Sequence, residues 1–156
     1  MDWAAQAQVL GEVLLAVVLG GLIGLERELA KRPAGLRTHI LVVVSSTLMV
    51  TLGNVIVSKF QQPDFVTVDP IRIIEAIVVG ISFLGAGTIM RHRDEGYIEG
   101  LTTAASILVA AAIGIAVALN LILISVGTTL IVLVINRGLN AFEEWLHKRV
   151  GEDSHG

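Results

Sequence analysis

The chain has 156 residues, of which 54% are hydrophobic, and it carries a formal net charge of −3 at pH 7. So high an apolar content is unusual for a soluble domain and indicates a membrane protein. The sequence contains no cysteine, which excludes disulfides, thiolate metal sites and cysteine nucleophiles. It also has no basic domain, so we expect no nucleic-acid partner.

Five apolar stretches are close to the length that crosses a bilayer, about 20 residues with a range near 17–25. The predicted transmembrane helices are residues 9–25, 36–57, 71–89, 101–118 and 121–135. The last two are almost continuous, and a single helix of about 50 Å would exceed a hydrocarbon core of about 30 Å. We therefore predict a tight hairpin at residues 118–121. One tilted helix is the alternative.

The lysines and arginines predict the orientation. Nine of them follow the first, third and fifth stretches, and two follow the second. Because Lys and Arg in short loops stay in the cytoplasm, the N-terminus is predicted outside and the C-terminus inside. This orientation requires an odd number of spans, which five satisfies.

The predicted fold is an all-α, polytopic membrane bundle of five transmembrane helices with a short C-terminal amphipathic helix. We divide the chain into a transmembrane domain, residues 1–138, and a cytoplasmic interfacial tail, residues 139–156. Apolar residues recur in the tail at spacings of three and four, which is typical of a helix lying on a membrane surface. A solvated continuation of the fifth span is an equally good interpretation.

Small and polar residues gather at the predicted cytoplasmic ends of the first four spans. Small residues let helix backbones approach closely in lipid, where packing holds helices together. The predicted functional polar cluster is Glu26, Arg27, Glu28, Arg37, Thr38, Thr102, Thr103 and Ser106. The predicted packing glycines are Gly20, Gly24, Gly85 and Gly87, of which the last two should face the fourth span.

Four motifs carry these residues in a fixed order. They are GLIGLERE at 21–28, AGLRTH at 34–39, GISFLGAGTI at 80–89 and GLTTAAS at 100–106. Together they resemble the transmembrane domain of the MgtC/SapB family, with Ser82 where that family often has glycine. The printed sequence contains no match to the soluble C-terminal domain of the virulence-associated members, which weakens any transfer of the virulence role.

The resemblance implies an integral membrane protein linked to growth in low magnesium, survival in macrophages and modulation of the ATP synthase. It implies no established enzyme reaction. The expected location is the bacterial inner membrane, with multiple spans.

The cytoplasmic cluster has two interpretations. One is a cation-handling gate, since carboxylates and hydroxyls are ligands that Mg²⁺ prefers. The other, which we favour, is a salt bridge between the first two spans, with Glu26 and Arg37 as the expected pair. The cluster's hydroxyl groups either line a path or pack helices together, and we favour packing. His39 is either a pH sensor or metal ligand, or a hydrogen-bonded structural residue, which we favour.

Two acids, Glu12 and Glu75, are predicted at a similar outer depth within the membrane. Ionisable groups in a membrane are costly and are functional candidates, so this pair either attracts a cation or shares a proton. The structural alternative is that Arg72 neutralises one acid, or that both reach the outer interface.

We predict no enzyme activity and no cofactor, because the sequence has no nucleotide-binding loop, no metal-spaced histidine pair and no Ser/His/acid set. Whether a metal binds stays undetermined. The favoured function is a non-enzymatic, MgtC-like role in magnesium-linked homeostasis or stress adaptation. Expected partners are membrane lipid, further copies of this chain and a membrane protein. The alternative function is a small transporter or channel for Mg²⁺ or another cation.

Overall fold

The computed structural model describes the backbone of residues 2–60, 69, 71–91 and 98–152, and the side chains of these except 60, 90, 91 and 139–152. Within these ranges the protein is all-α, as predicted. The five helices are α1 Trp3–Leu29, α2 Leu36–Phe60, α3 Ile71–Thr88, α4 Leu101–Ala118 and α5 Ile122–Glu152. Between α3 and α4, the two-residue strands β1 Met90–Arg91 and β2 Ile98–Glu99 pair antiparallel.

Four of the described helices are long and apolar enough to cross a membrane, namely α1, residues Leu36–Lys59 of α2, α3 and α4. The fifth predicted span corresponds to a shorter apolar segment, Ile122–Gly138. At 1.5 Å per residue this segment is about 26 Å long, slightly less than a core of about 30 Å. That α5 crosses the membrane therefore stays a prediction.

The predicted hairpin between the fourth and fifth helices is confirmed. Asn120 adopts a left-handed conformation, with φ of 60°. Its backbone N–H donates to Val117 at 2.9 Å, and the N–H of Leu121 donates to Ala116 at 2.9 Å. These two bonds form a Schellman motif, in which asparagine is one of the few residues other than glycine that tolerate the left-handed position. The alternative of one tilted helix is therefore wrong.

The C-terminal stretch is not a separate helix, because the backbone of α5 continues without a break from Ile122 to Glu152. Residues 139–152 extend the fifth helix, which is the second of the two interpretations of the tail. The division at residue 138 and the contact of the tail with the membrane surface stay predictions.

The bundle is built around α2 and α4. Helix α1 packs along α2, α2 packs along α4, and α3 and α5 flank α4. The apolar core fills the space between α1, α2 and α4, with Ala16, Ile23, Val43, Ala110 and Ile113 all nearly inaccessible. This packing brings the end of α1 and the starts of α2 and α4 to one end of the bundle, where the predicted polar cluster lies.

Candidate functional site

A cluster of buried polar side chains lies at the end of the bundle where α1 ends and α2 and α4 begin. We call it the buried polar cluster and define it as the buried residues Glu26, Arg27, His39, Thr103 and Ser106 together with the half-buried Asn136. It draws on α1, α2, α4 and α5, so four helices meet through it. Helix ends supply it because the sequence places charged and hydroxyl residues where each apolar segment stops.

Glu26 and Arg27 form a buried ion pair although they are consecutive residues. The Nε and Nη2 atoms of Arg27 donate to the two carboxylate oxygens of Glu26, at 2.7 and 3.0 Å. Asn136 of α5 donates to the same carboxylate at 2.9 Å. Arg27 is only 1% exposed and Glu26 6%. A buried charge needs such a partner, because removing an ion from water costs on the order of several kcal/mol.

The ion pair leaves one nitrogen unused. Nη1 of Arg27 is buried and has no hydrogen-bond partner among the described atoms. A buried unsatisfied donor costs about 1–3 kcal/mol, or more when it is charged. The pair therefore fixes the end of α1 to α5 without satisfying the guanidinium completely.

His39 joins α2 to α4 and is completely buried. Its Nδ1 lies 3.0 Å from the Gly35 carbonyl oxygen, and its Nε2 lies 3.1 Å from Oγ of Ser106. Oγ of Ser106 also lies 2.9 Å from the Thr103 carbonyl oxygen. The hydrogen bonding predicted for His39 is therefore present, and its structural role stays a prediction.

These contacts allow two proton arrangements. A carbonyl oxygen only accepts, so Nδ1 of His39 carries a proton. If the imidazole is neutral, Nε2 accepts the single hydroxyl proton of Ser106. If it is cationic, Nε2 donates to Ser106, which then donates to Thr103. The chemistry open to this group is thus a change of hydrogen-bond direction between α2 and α4.

The predicted Glu26–Arg37 salt bridge is wrong. Glu26 is occupied by Arg27 and Asn136, and Arg37 is exposed with no ion pair in the part of the chain that the structure describes. Helical periodicity brings the ends of α1 and α2 together, but it does not decide which long side chain reaches inward. The joint between these helices is made by backbone contact and by Glu28.

Four members of the predicted cluster, including Arg37, lie outside the buried polar cluster. Glu28 accepts a hydrogen bond from the Leu36 backbone N–H at 2.8 Å, which caps the start of α2. Glu28, Arg37 and Thr38 line an open surface pocket of about 580 Å³. Thr102 is exposed, whereas Thr103 and Ser106 on the next faces of α4 are buried.

Three of the four predicted packing glycines are confirmed. A methyl group at Gly24 would lie 2.7 Å from the Leu36 Cα, and one at Gly20 would lie 2.8 Å from the His39 carbonyl oxygen. Both glycines therefore allow α1 and α2 to touch backbone to backbone. A methyl group at Gly85 would meet the Cβ of Ala104 on α4 at 3.4 Å.

Gly87 does not pack against the fourth helix, so that prediction is wrong. It is exposed, and a methyl group there would meet no atom within 4 Å. Gly85 and Gly87 are two residues apart, which places them about 200° apart around a helix, so they cannot share one face.

The two predicted intramembrane acids are in different environments. Glu12 lines an open pocket of about 270 Å³ between α1 and α2 and accepts hydrogen bonds from Gln8 and Thr51, each at 3.2 Å. Glu75 is exposed on α3 and makes no hydrogen bond or ion pair among the described residues. Arg72 is likewise unpaired there, so it neutralises neither acid.

Sequence reasoning missed the residues that bind α4 to its neighbours at mid-depth. Oγ1 of Thr47 lies 2.9 Å from the carbonyl oxygens of both Val43 and Gly114, which share its single proton, and the backbone of Val43 fills the space beside Gly114. Asn136 was missed as well, since it lies in no motif. The signal that could have revealed Thr47 is a hydroxyl that faces a glycine on another helix. That signal can be recognised only when the pairing of the helices is already known.

Among the described residues, no group of three or more His, Asp or Glu side chains could hold a metal ion. In the buried polar cluster the carboxylate of Glu26 is already bound by Arg27 and Asn136. A cation there would have to displace a guanidinium. The arrangement therefore fits a joint between helices better than a metal centre.

Comparison with known proteins identifies relatives along most of the chain. The MgtC family model matches residues 13–145. Protein SapB of Bacillus subtilis strain 168 is 31% identical over 153 residues, 98% of this chain and 64% of SapB. The putative magnesium transporter YhiD of Escherichia coli K12 is 39% identical over 111 residues, 71% of this chain and 51% of YhiD. Protein MgtC of Brucella abortus strain 2308 is 35% identical over 137 residues, 87% of this chain and 53% of MgtC.

This chain spans about half to two thirds of the length of these curated relatives. No solved structure gives a significant match to it. The family match and the apolar helices together identify a membrane protein. The resemblance that the four motifs carry is confirmed, and the chain belongs to the MgtC family.

Proposed function

We propose that this protein has a non-enzymatic role in magnesium-linked homeostasis or stress adaptation in the bacterial inner membrane. It acts through helix contacts with membrane partners, including further copies of itself. The link to magnesium is supported by the name of one relative, the putative magnesium transporter YhiD, and by membership of the MgtC family. The mode of action is supported by the way the bundle interior is packed.

The observation that carries the proposal is a buried apolar layer on α1 between the two polar ends of the bundle. Glu12 and Glu26 are separated by about 21 Å of α1, at 1.5 Å per residue. Along the same face lie Ala16, Leu19 and Ile23, which are 0%, 3% and 0% exposed. An ion crossing this layer would lose its hydration without gaining ligands, which is strongly unfavourable.

The layer is also closed by backbone contacts. Gly20 lies against the α2 backbone at His39 and Ile40, and Gly114 lies against the α2 backbone at Val43. The hydroxyl of Thr47 is already bonded to two carbonyl oxygens. On α2 the polar side chains between the two ends, Ser46, Thr47 and Thr51, are buried, and the apolar Val43, 0% exposed, separates them from His39. A bundle packed in this way suits a protein that acts through its outer faces.

A transporter or channel for Mg²⁺ or another cation is the second candidate. The pocket at Glu12 favours it, because a carboxylate beside the hydroxyl of Thr51 offers oxygen ligands to a cation at one end of the bundle. Transport would then require α1 to separate from α2 at Gly20 and Gly24. The tight backbone contacts at these glycines oppose such a movement.

Magnesium flux into liposomes distinguishes the two candidates. The purified protein is reconstituted into vesicles that contain a magnesium-sensitive dye, and Mg²⁺ is added outside under an inward gradient. We expect uptake equal to that of protein-free vesicles. The control is a Glu12→Gln variant, which removes the only carboxylate lining the described pocket. Uptake that exceeds the leak and is abolished by this substitution would establish transport and contradict the proposal.

A further inference from the structure

Helix α3 is the most loosely held of the four long apolar helices. Only Ile77, Ile81 and Gly85 are buried on it. At one end it packs on α4, where Gly85 faces Ala104. Nearer the other end it touches α2 where Ile73 fills the space beside Gly53. Between α2 and α3 the remaining surfaces do not meet, and they leave a furrow that opens to the outside of the bundle.

The furrow consists of two connected cavities. The larger one, about 730 Å³, lies at the start of α3 and is lined largely by apolar side chains such as Leu52 and Ile56 of α2. The smaller one, about 230 Å³, lies deeper and reaches Gly80 and Leu84 of α3. Met49, Ala76 and Ile77 line both cavities, so the two cavities adjoin along the helices.

Among the described residues that line the furrow, Arg72 is the only cation, and it lies at the open end. Arg72 lines the larger cavity, is exposed and makes no ion pair among the described residues. Asp69 lines the same cavity and caps α3, with its carboxylate accepting the Ile71 N–H at 2.9 Å. Helix α3 is about 27 Å long at 1.5 Å per residue, close to the thickness of the hydrocarbon core. Arg72, the second residue of α3, therefore lies at the depth of the lipid headgroups.

We propose that the furrow between α2 and α3 binds one acyl chain of a phospholipid, with the lipid phosphate held by Arg72. The apolar walls match the chain, and the unpaired guanidinium matches the phosphate, with which arginine forms strong bidentate hydrogen bonds. The cation lies at one end, and the rest of the surface is apolar apart from Ser45 and Ser46, which resembles the polarity of the lipid itself.

The width of the furrow favours a hydrocarbon chain over a helix of another copy. Helices that touch through their side chains have axes about 8–10 Å apart. Helices α2 and α3 touch at Gly53 and Ile73, so the space between them is narrow. A helix with its side chains is about 10–12 Å across and would lie over the furrow without entering it.

Two substitutions test the two halves of the site. Gly80→Leu fills the deeper cavity, and since a methyl group at Gly80 meets no atom within 4 Å, the folded bundle accommodates it. Gly127→Leu on α5 is the matched control, because Gly127 also has open space and lines none of the described furrow. Arg72→Gln removes the cation. Thermal unfolding in detergent verifies that each variant is folded.

Native mass spectrometry of the detergent-solubilised protein then measures retained lipid. The probes are phosphatidylglycerol and a diacylglycerol with the same chains but no phosphate. We expect the unchanged protein to prefer phosphatidylglycerol, Arg72→Gln to reduce that preference about tenfold, and Gly80→Leu to weaken retention of both lipids about tenfold. The control variant should retain lipid as the unchanged protein does.

Equal retention by the Gly80→Leu variant and its control would overturn the proposal. So would equal retention of the two lipids by the unchanged protein, a comparison that does not depend on whether Arg72→Gln folds. If Gly80→Leu leaves lipid retention unchanged and alters the oligomer size in size-exclusion chromatography, a second copy covers the furrow and the lipid site is rejected.

Discussion

The charged residues at the inner end of α1 have unequal roles, and the difference depends on burial. Arg27 is 1% exposed and bound to Glu26, whereas Arg37 is exposed and unpaired within the described part of the chain. Exposed charges contribute about 0–1 kcal/mol, but removing one partner of a buried pair costs about 3–5 kcal/mol. The two arginines therefore provide a matched comparison.

Our first prediction is that Arg27→Gln strongly destabilises the bundle while Arg37→Gln does not. The loss at Arg27 should be about 3–5 kcal/mol, because Glu26 would be left as an uncompensated buried charge. The exposed control should change stability by less than about 0.5 kcal/mol. Thermal unfolding in detergent measures both. Adding Glu26→Gln to Arg27→Gln should recover part of the loss, and a strictly additive double variant would refute the pairing.

The second prediction concerns two hydroxyl residues near the start of α4. Ser106→Ala removes the partner of Nε2 of His39, a buried ring nitrogen. Leaving a buried polar atom unsatisfied costs about 1–3 kcal/mol, so the melting temperature should fall. Thr102→Ala, on the same helix but exposed, should change stability by less than about 0.5 kcal/mol. Similar effects of the two changes would mean that the His39–Ser106 bond does not hold α2 to α4.

Which residues gather at this end was predictable, and how they pair was not. Apolar segments end where charged residues begin, so the sequence locates Glu26, Arg27 and Ser106 at one depth. The partner of Glu26 depends on how long side chains bend, since consecutive residues on a helix do not normally face each other. Asn136 comes from 110 positions further along the chain and belongs to no motif. Its role follows only from the packing of α5 on α1.

At the scale of helices, the positions of the glycines determine which pairs of helices come into backbone contact. Helices α1 and α2 meet at Gly20 and Gly24, and α2 meets α4 at Gly114. The four-residue spacing of the first two glycines indicated this contact, because residues at that spacing share a face. No partner spacing marked Gly114, so the α2–α4 contact had no comparable signal in the sequence.

The third prediction compares Gly24 and Gly87, which both lie in motifs shared with the family but differ in the atoms that surround them. Gly24→Ala places a methyl group 2.7 Å from the Leu36 Cα, and a backbone atom cannot move aside as a flexible side chain can. Overpacking of this kind typically costs about 1–3 kcal/mol. Gly87→Ala meets no atom within 4 Å and should leave stability unchanged or slightly higher. Thermal unfolding in detergent and the yield of folded protein measure the difference.

If Gly24→Ala proves as stable as the unchanged protein, α1 and α2 do not lie in backbone contact. The opposite failure, a large loss from Gly87→Ala, would show that Gly87 faces a helix or a second copy. Gly87 would then contribute to the oligomer that we propose, and size-exclusion chromatography of the variant would show a change in assembly.

For the whole molecule, the fold class followed from the sequence because membrane helices must satisfy their backbone hydrogen bonds within the helix. Apolar length therefore predicts helices, and four of the five are long enough to span. The uneven burial of these helices was not predictable. Helix α4 is central because small residues cover it on several sides, whereas α3 has a single narrow buried face. Composition alone does not distinguish a lipid-facing side from a packed one.

The number of spans and the orientation can be decided by one experiment. Charge asymmetry predicts an external N-terminus and a cytoplasmic C-terminus, which requires α5 to cross. Its apolar segment, Ile122–Gly138, is the shortest of the five, so this is the helix in question. Two polypeptide reporters are used, one active only outside the cytoplasm and one fluorescent only inside it. Each reporter is fused after Gly156 in one protein and inserted at residues 61–64 in another.

The fourth prediction is that the fusion after Gly156 is fluorescent and the insertion at residues 61–64 is active outside. A control neutralises acids in the first cytoplasmic gap, such as Glu28→Gln, and should not change the result, since acids contribute little to orientation. Replacing Lys31 and Arg32 with Gln should make the orientation mixed. If both sites report the outside, α5 does not cross, and four spans with α5 along the membrane surface replace the predicted five. That outcome would also contradict the hydrogen bond between Asn136 and Glu26, because α5 would then lie at the outer end of the bundle and Glu26 at the inner end of α1.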